Sequence, residues 1–355
     1  MLFRSLKDYE RAITDSNEAI RLDPRIALAH HNRGLAYAAL GRFELAITDF
    51  DEALRVNSKL ANAYHNRGFA RTAMGEYDLA IGDYDSEIRL KPGSAFGFYN
   101  RGFVHTAMGQ YTLALNDFDE AIRLKPNFAA AYFNRGDVFR ARGDYDRAAA
   151  SYTEAIAYDA RFALAYYHRG EVYHERGEYG LAINDLNELL RINPDLPAAH
   201  NNRGLAHFAL QQYESAVADY SEAVRLDPHY AGAYNNRGLA FAAMNDFEAA
   251  VVDHIEAIRL NPKVASTYEN FARVWMMSGD SAIRSGEMML QLATRACELS
   301  GWQDWTCLAT LATAHAELGQ FREAVEWANR AFELAPPEEQ PECRNRLEEY
   351  SRHQQ

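Results

Sequence analysis

The chain has 355 residues, and 50 acidic against 37 basic side chains give a net charge of −13 and a pI near 5.4. Such a surface repels phosphate backbones, which argues against nucleic acid and for neutral to basic protein segments as partners. No stretch reaches the roughly 18 to 20 apolar residues of a membrane helix. The first residues lack the apolar run of a secretory signal. Three sparse cysteines, Cys297, Cys307 and Cys343, point to reduced thiols and a cytoplasmic protein.

Residues 1–26 predict a single helix, with Tyr9, Ala12, Ala19 and Pro24 in a register that later helices repeat. It matches only the second half of the unit that follows. The expectation is a partial repeat with an uncapped apolar edge, either a fragment of a longer chain or a surface for self-association.

From residue 27 to 264 the chain restates itself every 34 residues. Asn-Arg-Gly starts at Asn32, Asn66, Asn100, Asn134, Asn202 and Asn236, with His-Arg-Gly at His168 in the one gap. Each unit reads as two helices of about 14 residues. The first ends at a glycine such as Gly75, and the second ends before a proline such as Pro92. Glycine inside a helix costs roughly 0.5–1 kcal/mol relative to alanine. Its recurrence at Gly34, Gly68, Gly102 and onward predicts a close helix–helix approach, with the equally regular Ala46, Ala80 and Ala114 as partners.

Residues 265–336 predict two looser units. The eighth keeps Tyr268, Asn270 and Gly279, then inserts residues around Ser281 to Ser285; the ninth regains Gly319, Phe321 and Pro336. All four tryptophans fall here or just beside these landmarks. Residues 337–355 form a polar helical pattern suited to covering the last apolar face.

The unit resembles the tetratricopeptide repeat (TPR), a helix-turn-helix of 34 residues. The resemblance implies an all-α fold, a right-handed α-solenoid superhelix whose first helices line the concave side. On that face stands a ladder, one rung per unit: Asn32, Asn66, Asn100, Asn134, His168, Asn202, Asn236 and Asn270. An amide both donates and accepts, so it suits the C=O and N–H of an extended peptide backbone. The TPR region of O-linked N-acetylglucosamine transferase is similar in presenting an asparagine ladder. The alternative is that these amides only bond to neighbouring helices.

Around the rungs lie Tyr99, Phe133 and Tyr167 one residue before, and Phe69 and Phe103 three residues after. Exposed apolar side chains of this kind mark protein-binding surfaces. Asp137, Glu171 and Glu175 make the middle units acidic, with Arg140 alone opposing them. The arginine after each rung is expected to pair with an aspartate of the preceding unit, Arg33 with Asp15 and Arg67 with Asp49.

No phosphate-cradling glycine loop, nucleophile elbow or His-Glu-x-x-His pair is present. No metal or cofactor is expected, and the reading is a non-enzymatic scaffold that binds extended peptides. The alternatives are the substrate-recruiting part of a larger multidomain enzyme, or a self-assembling structural solenoid.

Overall fold

A computed structural model describes residues 6–277 and 286–353, so Gly279 and the insertion expected around Ser281 to Ser285 lie outside the described residues. Among the described residues every regular element is an α-helix, twenty in all. The chain divides into two compact units, residues 1–172 and 173–355.

In the first unit, α1 (Leu6–Leu22) packs on α2 (Ala27–Ala39), and the chain then alternates between short first helices and slightly longer second ones. These are α3 (Phe43–Val56), α4 (Ala61–Ala73), α5 (Tyr77–Leu90), α6 (Ala95–Ala107), α7 (Tyr111–Leu124), α8 (Ala129–Ala141) and α9 (Tyr145–Tyr158). Each packs against its sequence neighbour, and successive first helices touch as well. The first helix α10 (Ala163–Glu175) spans the unit boundary.

The second unit runs α11 (Tyr179–Ile192), α12 (Pro197–Ala209), α13 (Tyr213–Leu226), α14 (Ala231–Ala243), α15 (Phe247–Leu260) and α16 (Ala265–Met277). After the break come α17 (Gly286–Leu299), α18 (Trp305–Glu317), α19 (Phe321–Leu334) and α20 (Gln340–His353). Each unit is therefore a helical solenoid of stacked pairs.

The turn inside each pair needs a left-handed residue. Gly75 supplies it at φ 77°, and Asn245 takes the same conformation at φ 63° in α14–α15. The repeated glycine of the first helix has a different task. A Cβ on Gly136 would lie 2.6 Å from the Tyr152 ring, and one on Gly34 would lie 2.7 Å from Phe50. The partner of that glycine is thus an aromatic ring on the second helix, rather than the alanine expected from the sequence. Tyr84, Phe118, Tyr152 and Tyr220 are almost completely buried in this way. Each such ring contributes about 1.5–3 kcal/mol through burial. The regular alanines, Ala46, Ala80 and Ala114, are also fully buried and fill the space beside the rings.

In the C-terminal region the tryptophans join the core. Trp302 stacks on Trp327 at 5.0 Å, beside a cluster built on Cys297, Cys307, Leu308 and Leu311. Helix α20 buries Tyr350 against Ala312, Ala324 and Ala328.

Candidate functional site

The arginine of each Asn-Arg-Gly is fully engaged. Arg33 donates from Nε and Nη2 to both Asp49 oxygens, at 2.8 and 2.6 Å, and from Nη1 to Asn17 at 2.6 Å. Arg101 does the same with Asp117 and Asp85, and Arg237 with Asp253 and Ser221. Arg67 joins Asp83 to Asp51. The expected pairing of Arg33 with Asp15 and Arg67 with Asp49 is therefore corrected: the main partner is the aspartate of the arginine's own unit. Spacing alone does not distinguish the two senses, but burial does. Asp49 is 3% exposed, whereas Asp15 is exposed on the outside of α1. A bidentate guanidinium is what a buried carboxylate requires. Its effect appears at Arg101, whose pKa is pushed up first by the Asp117 hydrogen bond.

The rungs behave differently. Asn32 is exposed and Asn66 and Asn100 are half-buried, and their amides make no hydrogen bond among the described residues. Asn134 donates to the Tyr99 hydroxyl at 2.9 Å, Asn236 to Asn201 at 3.0 Å, and Asn270 to Asn235 at 3.3 Å. Asn202 accepts from Asn201 at 3.4 Å. The ladder thus has open rungs at Asn32, Asn66 and Asn100, while Asn134, Asn236 and Asn270 bond to the preceding first helix and Asn202 to its own neighbour. Asn201 and Asn235 had escaped the sequence reading, although the Asn-Asn doublets Asn201-Asn202 and Asn235-Asn236 were a visible sign.

The flanking side chains also divide. Phe69 and Phe103 are 54% and 47% exposed, and Leu35 is 38% exposed. Phe133, expected on the open face, is buried at 8% and packs on Tyr152, Phe162 and His168. Tyr99 is half-buried against Phe118 and Phe128, and Tyr167 is half-buried beside His168.

The middle of the chain holds a polar network. Tyr152 donates to Asp137 at 2.7 Å, and His168 Nδ1 lies 3.4 Å from the same carboxylate. Arg140 pairs with Glu171 at 2.7 Å, while Glu175 is exposed. Two of the three expected acidic groups are therefore already engaged. Burial holds the His168 pKa below its ordinary value against the pull of Asp137. Burial, then Asp137, pushes the Tyr152 hydroxyl up.

In the second unit a cavity of about 210 Å³ is lined by Glu269, Arg273, Trp305, Thr310, Thr313 and Arg346 among others. Burial raises the Glu269 pKa, although Arg273 and Thr310 oppose it. Among the described residues no three His, Cys, Asp or Glu side chains are grouped to hold a metal ion, and no helix is long and apolar enough to cross a membrane.

Family models decide what these stacked pairs are. The model for the TPR repeat matches residues 2–41, 34–75, 104–139, 136–177, 170–211 and 206–245, and a tetratricopeptide repeat model matches 231–264 and 306–338. The chain belongs to the tetratricopeptide repeat family. Members of this TPR family are generally protein-interaction scaffolds. Among solved structures, the chain is similar to a tetratricopeptide repeat protein from Parabacteroides merdae at 20% identity, covering 73% of this chain and 99% of that one, with a TM-score of 0.59. The C-terminal part of a TPR repeat-containing protein from Cytophaga hutchinsonii matches at 18% identity over 65% and 93%, with a TM-score of 0.54. Yeast Tom70 matches at 15% over 98% and 93%, with a TM-score of 0.51. At these identities the likeness is one of fold alone. No curated protein matches the chain.

Proposed function

We propose that this TPR chain is a non-catalytic scaffold that binds extended, neutral to basic peptide segments along the face formed by its first helices. One observation carries the reading. Within a single Asn-Arg-Gly the arginine bonds on both sides, yet the asparagines at 32, 66 and 100 leave their amides unused among the described residues. Asn32 is exposed and Asn66 and Asn100 are half-buried, so their amides are left to solvent in the free protein and are available to a ligand. Exposed Leu35, Phe69 and Phe103 stand three residues beyond these rungs and offer apolar contacts beside them. A ladder used in this way would be similar to the one in the TPR region of O-linked N-acetylglucosamine transferase. Each amide bond to a peptide contributes about 0.5–1.5 kcal/mol net, and ordering the peptide offsets much of it, so affinities of micromolar order follow. The test is a peptide array probed with the wild type and with Asn32→Ala, Asn66→Ala and Asn100→Ala combined. The reading requires binders that the folded triple variant loses; equal binding by both proteins removes the ladder from the site.

A further inference from the structure

One joint in the first unit departs from the repeat at three places together. Position 87 holds Glu87 where neighbouring units have Ala53, Ala121 and Ala155. Position 97 holds Gly97 in place of Ala63, Ala131 and Ala165, and position 94 holds Ser94 in place of Leu60, Phe128 and Phe162. The three changes interlock. Glu87 is only 4% exposed, and a Cβ on residue 97 would stand 3.0 Å from its carboxyl carbon, so the glycine makes the room. Ser94 donates to Glu87 Oε1 at 2.6 Å while its oxygen accepts from the Gly97 N–H at 3.2 Å, capping α6.

The other carboxylate oxygen, Oε2, meets His65 Nδ1 at 2.9 Å. A carboxylate only accepts, so Nδ1 carries a proton, and in the neutral form of the ring Nε2 is then the acceptor. His31, the equivalent residue one unit earlier, provides an internal comparison. With Ala53 behind it in place of Glu87, His31 is buried and its Nδ1 has no partner. The buried carboxylate therefore serves His65 in particular. That ring is 28% exposed, precedes the open rung Asn66, and lies one turn from the exposed Phe69 on α4.

We propose that Glu87 is a positioning residue which fixes the His65 tautomer, so that His65 Nε2 takes a hydrogen bond from a donor on the bound peptide, a backbone N–H or a hydroxyl or amide side chain, beside Asn66. This rests on the peptide-binding reading above. It adds a specificity element at the second rung and assigns the chemistry of the group that meets it.

The test uses the full chain and the tightest binder from the array. The double variant Glu87→Ala, Gly97→Ala restores the alanine pair of the neighbouring units and is expected to fold. The ¹⁵N shifts of its His65 ring should show a mixture of tautomers where the wild type shows protonated Nδ1. Affinity should fall roughly three- to tenfold, the range of one hydrogen bond. His65→Ala should cause the same loss, and adding it to the double variant should cause no more. A double variant that binds like the wild type, or losses that multiply, overturns the role of Glu87 while leaving the ladder in place. An array without any binder overturns the peptide-binding reading and this assignment with it.

Discussion

Arg101 and Asp117 face each other across α6 and α7 with two parallel bonds of 2.9 and 2.6 Å, and the carboxylate is only 4% exposed. Removing the guanidinium leaves that charge buried, with the His105 ring 3.8 Å away. Arg101→Ala should destabilise the protein by about 3 kcal/mol. Adding Asp117→Ala should recover part of the loss, because no buried charge then remains. Urea unfolding of both variants checks this. A single variant as stable as the wild type would contradict a structural role for the arginine ladder.

Gly136 and Gly82 test the glycine–aromatic fit. A Cβ at 136 meets the Tyr152 ring at 2.6 Å, and one at 82 meets nothing within 4 Å. Gly136→Ala should cost about 1–3 kcal/mol through overpacking. Gly82→Ala should stabilise by about 0.5–1 kcal/mol, since alanine is the better helix former. The thermal midpoints of the two variants should move in opposite directions.

These two glycines also show how much was legible. The 34-residue interval announced helix pairs, and both turn glycines and closing prolines marked their ends. The interval did not say which second helix a side chain faces. Arg33 has an aspartate on either side in sequence, and only the depth of Asp49 chooses between them. Gly136 has both Ala148 and Tyr152 within its pair, and the ring is what approaches it. Phe133 sits on the stripe that holds the rungs but turns inward onto Phe162, a contact between adjacent units that no single unit reveals. The Glu87–Gly97 exchange was printed in the sequence too, but its meaning depends on knowing that α5 and α6 touch there.

Acid should weaken the second unit through His254. This ring is wholly buried against Phe271, neither nitrogen has a partner, and burial lowers its pKa to about 4 from 6.5. The unfolded chain takes up the proton first. Stability is therefore complete above pH 6.5 and falls as pH drops toward 4, by about 3 kcal/mol in total. Buried His31 and half-buried His168 shift in the same direction. His254→Tyr, which restores the ring found at Tyr220, should flatten the profile between pH 6.5 and 4. An unchanged slope would assign the acid sensitivity to other groups.

All three cysteines should be inert in the folded protein. Burial pushes the Cys297 and Cys307 thiols up to about 12 and raises Cys343 as well. Thiol reagents attack the thiolate. An aromatic disulfide reagent at pH 8 should react only after denaturant is added. Stoichiometric reaction within minutes in buffer would show that the C-terminal core opens readily.

The Ser94–Glu87 hydrogen bond and the room left by Gly97 join the second helix of one repeat to the first helix of the next. A recombinant that transplants residues 61–94 as one 34-residue cassette would carry the glutamate into a neighbourhood where alanine stands at the matching position, and would leave a gap behind in its old one. This joint draws on three consecutive helices, His65 from α4, Glu87 from α5 and Gly97 from α6, so the module that carries it is longer than one repeat. Exchanges between relatives that preserve it must carry residues 61–109 in one piece, ending in the turn at Gly109 rather than at Pro92.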